Sequence, residues 1–499
     1  MGAIETLRKL REFGGAQRTQ GLDDATIERF AANDPALGQA IGDALARHEE
    51  LRADFSDFLK LDEAEQIERA QAAFVNFYPD DAISPYVPAA ARGPWIVTLK
   101  GAVLHDNGGY GMLGFGHNVP AITEALGKPQ VMASIMTPSV SQMRFGKAVN
   151  AELGRNRGGN PYARVMCLNS GSESVTLAAR IADVNSKAMT DEGAAHAGHA
   201  IKRVVVKGAF HGRTGEPALY SDSTRKTYQK NLASYRHEDT LITVEPYNVE
   251  QLKQVFADAK TNNWFIEALF LEPVMGEGDP GRSVTPEFYT AARELTRDHG
   301  TLFLVDSIQA GLRTQGVLSV TDYPGFEKLD APDMETFSKA LNAGQYPLSV
   351  LAVNEKAAGL YRKGIYGNTM TANPRALDVA CATLGELTDE VRTNIRERGK
   401  EFVDKLNALK DELGNGLITK VQGTGLLFSC ELAAEFKCYG TNSTEEYMRE
   451  NGVNVIHGGA NSLRFTPHFN VTSAEVDLII DHVRKALLEG PRASKSEAA

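Results

Sequence analysis

The chain is short of cysteine, of positive charge and of long apolar runs, and each shortage removes a class of protein. Its 499 residues hold four cysteines, Cys167, Cys381, Cys430 and Cys438, far apart and with no CxxC pair. That excludes a disulfide-built scaffold and fits reduced thiols in a cytosol. Acidic side chains outnumber basic ones, 64 against 53, for a formal net charge of -11. A general nucleic-acid binder needs a basic face, and so does docking on anionic lipid. No run approaches a membrane span. The opening "MGAIETLRKL" lacks the apolar stretch of a signal peptide. It matches the loose myristoylation pattern through Gly2 and Thr6, but no polybasic patch follows. The 11 histidines form no HExxH, and "HAGH", with His196 and His199, lies in a polar insertion. The expectation is a cytoplasmic protein with no nucleic acid, no membrane and no metal.

What is present is an ordinary globular balance, 42% hydrophobic and 23% charged, enough for a substantial core. At roughly 100–200 residues per domain, the length suggests two or three domains. Residues 1–92 read as a helical N-terminal extension, rich in Ala, Leu, Glu and Arg and ended by the Pro- and Asp-containing "FYPDDAISPYVP". From residue 93 strands alternate with helices, the pattern of a parallel sheet covered on both faces. "TPEFYTAARELTRDHG" predicts a helix capped by Thr285, with Pro286 in its first turn and Gly300 as its stop, followed by the strand "TLFLV". Residues 93–125 are assigned to the start of a small domain and 126–375 to a large α/β domain. Residues 376–490 are assigned to an α+β C-terminal part, opened by a long helical stretch over "PRALDVACATLGELTDEVRTNIRERGKEFVDKLNAL". Residues 491–499 read as a disordered tail.

In an open α/β sheet, ligands bind beyond the carboxyl ends of the strands. "ARVMCLNSGSES" runs from a strand into Asn169, Ser170, Gly171, Ser172 and Glu173 and then a helix, a phosphate cradle of free N–H groups. "RVVVKGAFHGRT" delivers Phe210, His211 and Arg213. "ALFLEPVMGEG" delivers Glu272 and Glu277, "TLFLVDSIQAG" delivers Asp306 and Gln309, and "METFSKALNAG" delivers Lys339. Singly, each has a plain reading: a helix cap, a turn residue, a surface charge. Together they supply what pyridoxal 5′-phosphate needs. N–H donors serve its phosphate, a carboxylate its pyridine nitrogen, an aromatic its ring and a lysine amine its aldehyde.

Residues 93 to about 485 resemble the class III (ornithine/ω-amino acid) aminotransferases of the aspartate-aminotransferase fold, fold type I. The motifs that carry the resemblance are "GYGMLGFGHN", "NSGSES", "AFHGRT", "EPVMGEG", "VDSIQAGLRTQG", "FSKALNAGQYPLS", "NTMTANP" and "RFTPHF". It implies a large domain on a mostly parallel sheet, a smaller α+β domain, and a homodimer. It implies that Lys339 is the Schiff-base lysine and proton shuttle, and that Asp306 pairs with the pyridinium. Gln309 approaches the 3′-oxygen, Phe210 stacks beside His211, and Glu272 supports the site. The Ser170–Gly171–Ser172 turn holds the phosphate, with Thr369 reaching it from the partner subunit. For substrate it implies Arg213 and Arg464 as carboxylate clamps, Glu277 as the counter-charge of Arg464, and Tyr110 beside them. An amino donor and a 2-oxo acid such as 2-oxoglutarate are the implied partners. The chain departs from the family in three places. Ser307 stands where an acid usually follows the aspartate, "TANP" replaces Gly-Gly-Asn-Pro, and "SESV" replaces an Ala-Glu-Ala-Asn helix start.

Other readings fit less. "GGYGMLG" matches GxGxxG at Gly109, Gly111 and Gly114, but no acidic residue ends a second strand about twenty residues on, as a dinucleotide ribose requires. Racemases, epimerases and aminomutases on the same fold share the lysine and aspartate. The Glu277 and Arg464 pair favours two-substrate transamination.

Overall fold

Side chains alternate across a strand, so a strand that is apolar on both faces must be covered twice. Leu302–Asp306 shows this directly. Phe303 and Val305 enter one buried cluster and Leu302 and Leu304 another. Leu269 and Leu271 likewise oppose Ala268 and Phe270 on Trp264–Leu271. The first cluster is closed by helices Val249–Thr261 and Pro286–His299, the second by Gly171–Thr190. The computed structural model describes residues 2–79, 82–131 and 136–493. The expected tail thus lies outside the described residues from 494 onward. Before that point, Arg492 lies over the Phe436 ring.

Two compact units make up the chain. One comprises residues 121–396 and 423–427; the other comprises 1–120, 397–422 and 428–499. The 121–396 unit carries seven strands: β1 (Arg164–Leu168), β2 (Ala200–Val206), β3 (Leu241–Val244), β4 (Trp264–Leu271), β5 (Leu302–Asp306), β6 (Met334–Phe337) and β7 (Ser349–Val353). Their order is β1-β7-β6-β5-β4-β2-β3. Only β7 runs antiparallel to its neighbours. The carboxyl ends of β1, β2, β4, β5 and β6 therefore share one edge. The helix after β4 starts and stops where its sequence predicts. Thr285 accepts from Phe288 N, Pro286 opens the first turn, and Gly300 takes φ 81°. The long C-terminal stretch is helical, as its sequence predicts. It divides into Pro374–Gly385 and Asp389–Leu413, because Thr388 caps the second helix by accepting from Val391 N.

In the other unit, Pro88–Arg92, Trp95–Thr98 and Val103–Asp106 form an antiparallel sheet, extended by Val453–Asn454. A second sheet orders Ile418–Thr424, Leu427–Leu432, Ser462–Phe465 and Ile456–Gly458. The N-terminal segment is four helices, Ala3–Arg11, Asp24–Ala31, Pro35–Leu59 and Glu63–Gln71. Leu7, Leu10, Ile27, Phe30, Leu37, Ile41 and Ala44 lie on their inner faces and pack on Trp95, Val97 and Val103 of the first sheet. Asp34 caps the third helix and accepts from Trp95 Nε1 at 2.6 Å. Lys100 is buried beneath these helices. Its ammonium donates to the carbonyls of Gly14, Leu59 (3.2 Å) and Leu61 (2.6 Å), and burial pushes its pKa down. Among the described residues, no helix is long and apolar enough to cross a membrane.

Candidate active site

The five strand ends on the common edge deliver side chains that bond to one another. After β1, Ser170 caps Gly171–Thr190 in a reciprocal box. Its side chain accepts from Glu173 N, and Glu173 accepts from Asn169 N at 2.7 Å and Ser170 N at 3.1 Å. The Ser170 hydroxyl is thus used in capping. The first-turn N–H groups of Gly171 and Ser172 have no acceptor within the helix, and the helix dipole adds positive potential there. Neither glycine at this corner leaves room for a Cβ without a shift of its neighbours. A Cβ on Gly171 would sit 2.7 Å from Ile308 Cδ1. Gly212 takes φ +123° with a Cβ position 2.5 Å from Ser172 Oγ.

After β5, Asp306 is buried with His211 Nδ1 at 2.7 Å from Oδ2, while Oδ1 accepts from Ile308 N at 3.1 Å. The contact sets the tautomer, with the proton on Nδ1 and the carboxylate accepting. His211 is held in turn by Ser221 Oγ at its own N–H (3.0 Å) and by the edge of Phe270. The sequence placed His211 among the cofactor contacts without this link to Asp306. After β4, Glu272 accepts from Phe210 N (3.0 Å) and Gly276 N (2.8 Å). Burial pushes its pKa up to about 7, the nearby Asp306 charge adds to this, and His211 opposes it. Glu272 thereby ties the Phe210 loop to the "EPVMGEG" loop. The Arg213 guanidinium lies 5.2 Å from the centroid of the Phe210 ring.

After β6, Ser338 Oγ donates to Leu348 O at 2.6 Å, and Lys339 takes φ 50°. Left-handed backbone in a long-chain residue stores strain that surrounding contacts must hold, and such residues concentrate at functional sites. Lys339 opens a short 3₁₀ turn that ends at Ala343, also left-handed at φ 47°. The lysine stem therefore leaves β6 from a rigid corner.

The turn carrying Thr369 is anchored to the helix start after β1. Asn169 Nδ2 donates to Asn368 Oδ1 at 3.1 Å, and Asn368 Nδ2 donates to Glu173 Oε1 at 3.0 Å. Thr369 itself is exposed. It borders a cavity of about 680 Å³ shared with Gln130, Ser139, Arg144 and Asn373.

In the other unit, the "GYG" turn is a 3₁₀ element with Tyr110 at φ 55°. No helix follows it directly, unlike a dinucleotide-binding turn. Thr466 straps it, accepting from Gly111 N at 3.2 Å and donating to Gly108 O at 2.9 Å. Arg464 is buried, with its guanidinium 5.1 Å from the Tyr110 ring centroid. Tyr78 stacks on Tyr110 at 5.9 Å and 7°. Sequence reasoning passed over Tyr78. Its only signal was an aromatic side chain at the end of the N-terminal helices. Glu277 and Arg213 belong to the 121–396 unit and Arg464 to this one.

His105, His468 and Glu475 are buried with ligand-type atoms within 4.8 Å of one another. Hydrogen bonding accounts for this cluster. Asn107 Nδ2 lies 2.9 Å from His105 Nδ1, so His105 Nε2 carries a proton for Glu475 Oε1 at 3.0 Å. His468 Nε2 is 2.8 Å from the same oxygen, and Thr472 N and Oγ1 donate to the other. These donors hold the Glu475 pKa well below the usual carboxylate range against the cost of its burial.

The residues on the common edge fit pyridoxal phosphate. Gln309 Nε2, a donor, and His211 Nε2, an acceptor in this tautomer, are buried with no hydrogen-bond partner among the described residues. A donor of the first kind suits the cofactor's ring oxygen, and leaving it unpaired would be costly. Gly276 keeps Gln309 in place. A Cβ there would overlap Gln309 Oε1 and come 3.3 Å from Glu272 Oε2. Gly276→Ala should therefore weaken cofactor binding about tenfold or more, as displaced positioning groups do. Equilibrium dialysis measures this, and an unchanged dissociation constant contradicts it.

Known proteins share the sequence and the fold of this chain. The family model "Aminotransferase class-III" matches residues 78–487. The ornithine aminotransferase of Staphylococcus carnosus is 28% identical over 407 residues, covering 80% of this chain and 94% of its own. The succinylornithine transaminase of Citrobacter koseri is 29% identical over 416 residues, 81% of this chain and 93% of its own. Two solved structures share the fold. The ornithine aminotransferase of Toxoplasma gondii has a TM-score of 0.72 at 24% identity, covering 88% of this chain and 98% of its own. The acetylornithine aminotransferase of Elizabethkingia anophelis has a TM-score of 0.67 at 25% identity, covering 85% and 98%. The chain belongs to the class-III aminotransferases, pyridoxal-phosphate-dependent transaminases built on the fold type I α/β architecture.

Proposed function

We propose that the enzyme moves an amino group from an ω-amino acid, diamine or basic amino acid of the ornithine, lysine or 4-aminobutyrate kind to a 2-oxo acid such as 2-oxoglutarate, by a ping-pong mechanism. The observation that carries this is Lys339, held left-handed at the end of β6 on the same sheet edge as Asp306 and the Ser170 helix start. The names of the ornithine-type relatives support the donor class.

Pyridoxal phosphate, when bound, supplies an electron sink that stabilises negative charge on the substrate carbon. The chain's own residues do the rest. Lys339 would hold the cofactor through its amine, and the same amine would move the proton at the substrate carbon. Asp306, oriented by His211, presents a buried anion to the ring nitrogen. Gln309 donates to the ring oxygen, and Phe210 supplies the stacking face. The N–H groups of Gly171 and Ser172 take the phosphate. Arg213 and Arg464 clamp substrate carboxylates, with Glu277 and Tyr110 tuning which substrate enters.

The working form is a homodimer with Thr369 contributed across the interface, in the cytoplasm. Val131, Met136, Val140, Met143 and Met370 are exposed apolar side chains in the segments that line or flank the Thr369 cavity. Exposed apolar side chains in neighbouring segments support that reading. The test is initial-rate kinetics with single donors and 2-oxoglutarate. Parallel double-reciprocal lines from a particle of twice the chain mass are expected. Intersecting lines, or no conversion of any diamine or ω-amino acid alone, would contradict the reading.

A further inference from the structure

We propose that Glu335 is a positioning residue of the cofactor site, a buried carboxylate that clamps both ends of the loop carrying Gln309 through Ser307 and Ser319. Glu335 lies in β6, inside the sheet between β5 and β7, and is fully buried. Such a place ordinarily takes an apolar residue, because burying a carboxylate without donors is costly. Here it is fully engaged. Oε1 accepts from Ser307 Oγ at 2.6 Å and Val320 N at 2.8 Å. Oε2 accepts from Ser319 Oγ and from Tyr162 OH.

The positions of these donors give the carboxylate its role. Ser307 directly follows Asp306, and Ser319 and Val320 close the same loop. Within it, Gly311 N donates to Ser307 O and Leu312 N to Val317 O, each at 2.8 Å. Gln309 sits between those ends. Tyr162 belongs to the segment that enters β1, whose far end carries the Ser170 helix start. β6 itself ends beside Lys339. One carboxylate thus links the segments that lead to the phosphate cradle, to Asp306 and Gln309, and to the lysine. The register reinforces the link: Val305 pairs with Glu335 and Asp306 with Thr336, and Ser307 N donates to Thr336 O at 2.9 Å.

The arrangement also explains Ser307. Ser307, at the position where the family that the chain resembles usually carries an acid, is bonded through its hydroxyl to a carboxylate one strand away. Burial pushes the Glu335 pKa up to about 7, and its four donors pull against that. The other titratable groups facing it are Tyr162, Tyr289 from the Pro286–His299 helix, and Tyr323, all pushed well above neutrality by burial. Glu335 therefore changes charge near neutral pH while its neighbours do not. When it is protonated, one of the four donors loses its acceptor and the clamp on the loop slackens.

The inference rests on the cofactor site described above. Full-length Glu335→Gln and Ser307→Ala are compared with wild type for cofactor dissociation, for the pH titration of bound-cofactor absorbance, and for thermal midpoint without cofactor. Both variants should weaken cofactor binding about tenfold or more, the cost of misplacing positioning groups, and should shift the absorbance titration. The double variant should be no worse than Glu335→Gln alone, because both changes break one link. A Ser307→Ala protein with unchanged cofactor affinity and titration overturns the proposal, whatever its thermal midpoint. If Glu335→Gln does not fold, Ser307→Ala decides alone. A wild-type protein that bound no cofactor would count against the site itself and not against Glu335.

Discussion

Lys339→Ala is expected to lower kcat by at least about 10⁴-fold, roughly 5.5 kcal/mol of transition-state stabilisation. Two functions leave with one side chain. The amine that attaches the cofactor is gone, and so is the base that moves the proton at the substrate carbon. The fold should survive. Lys339 is half-buried, and beside it Ser338 Oγ donates to Leu348 O, a bond the substitution leaves in place. Alanine does not relieve the left-handed backbone at φ 50°, so no gain in stability is expected to mask the loss. The measurement pairs single-turnover rates with borohydride fixation of the cofactor. Wild type should retain covalently fixed cofactor, and the variant should retain none. A fixed adduct in Lys339→Ala would remove Lys339 from its role.

Asp306→Asn is expected to lower kcat by about 10²–10³-fold, the scale for removing one preorganised electrostatic group from a buried site. The substitution is nearly isosteric. The amide oxygen can keep the Ile308 N bond, and His211 can switch tautomer so that Nδ1 accepts from the amide nitrogen, which keeps the loop geometry while the negative charge is lost. The thermal midpoint should move by only a few degrees. Rate and stability therefore separate, which a merely structural aspartate would not allow. His211 makes the contrast sharper, because its proton on Nδ1 already compensates the carboxylate at 2.7 Å. Turnover within about threefold of wild type would show that the charge is not used.

Parts of this architecture were open to reading in the sequence because their causes are local. Thr285, Pro286 and Gly300 announce a helix within sixteen residues, and the structure caps and stops it with those groups. The strand ends were legible for the same reason. A short apolar run followed by Gly, Ser, Asp or Lys marks where a chain leaves a sheet. The break at Thr388 was harder to see, since a threonine inside a helical pattern competes weakly for backbone bonds and the apolar spacing continues past it. What stayed hidden depends on residues far apart in the chain. His211 meets Asp306 across 95 positions, and Tyr78 meets Tyr110 from outside any motif. Glu335 was invisible for a different reason. An acid within "METF" breaks the apolar pattern of a strand interior, and only the folded neighbours show what it bonds to. The N-terminal helices carried an amphipathic pattern, but no pattern names the surface it will cover, here Trp95, Val97 and Val103.

Lys100 has a practical meaning for anyone shortening this chain. Its ammonium is enclosed, and its acceptors are main-chain carbonyls at residues 14, 59 and 61. Deleting the first sixty residues would strip away two of those three acceptors while the cation remained attached to the sheet. The truncated protein would bare a seam of Trp95, Val97 and Val103, a surface prone to sticking to other chains. The leading helices are thus an integral wall of the enzyme, and expression designs that begin at the family boundary near residue 78 would start from the wrong side of it.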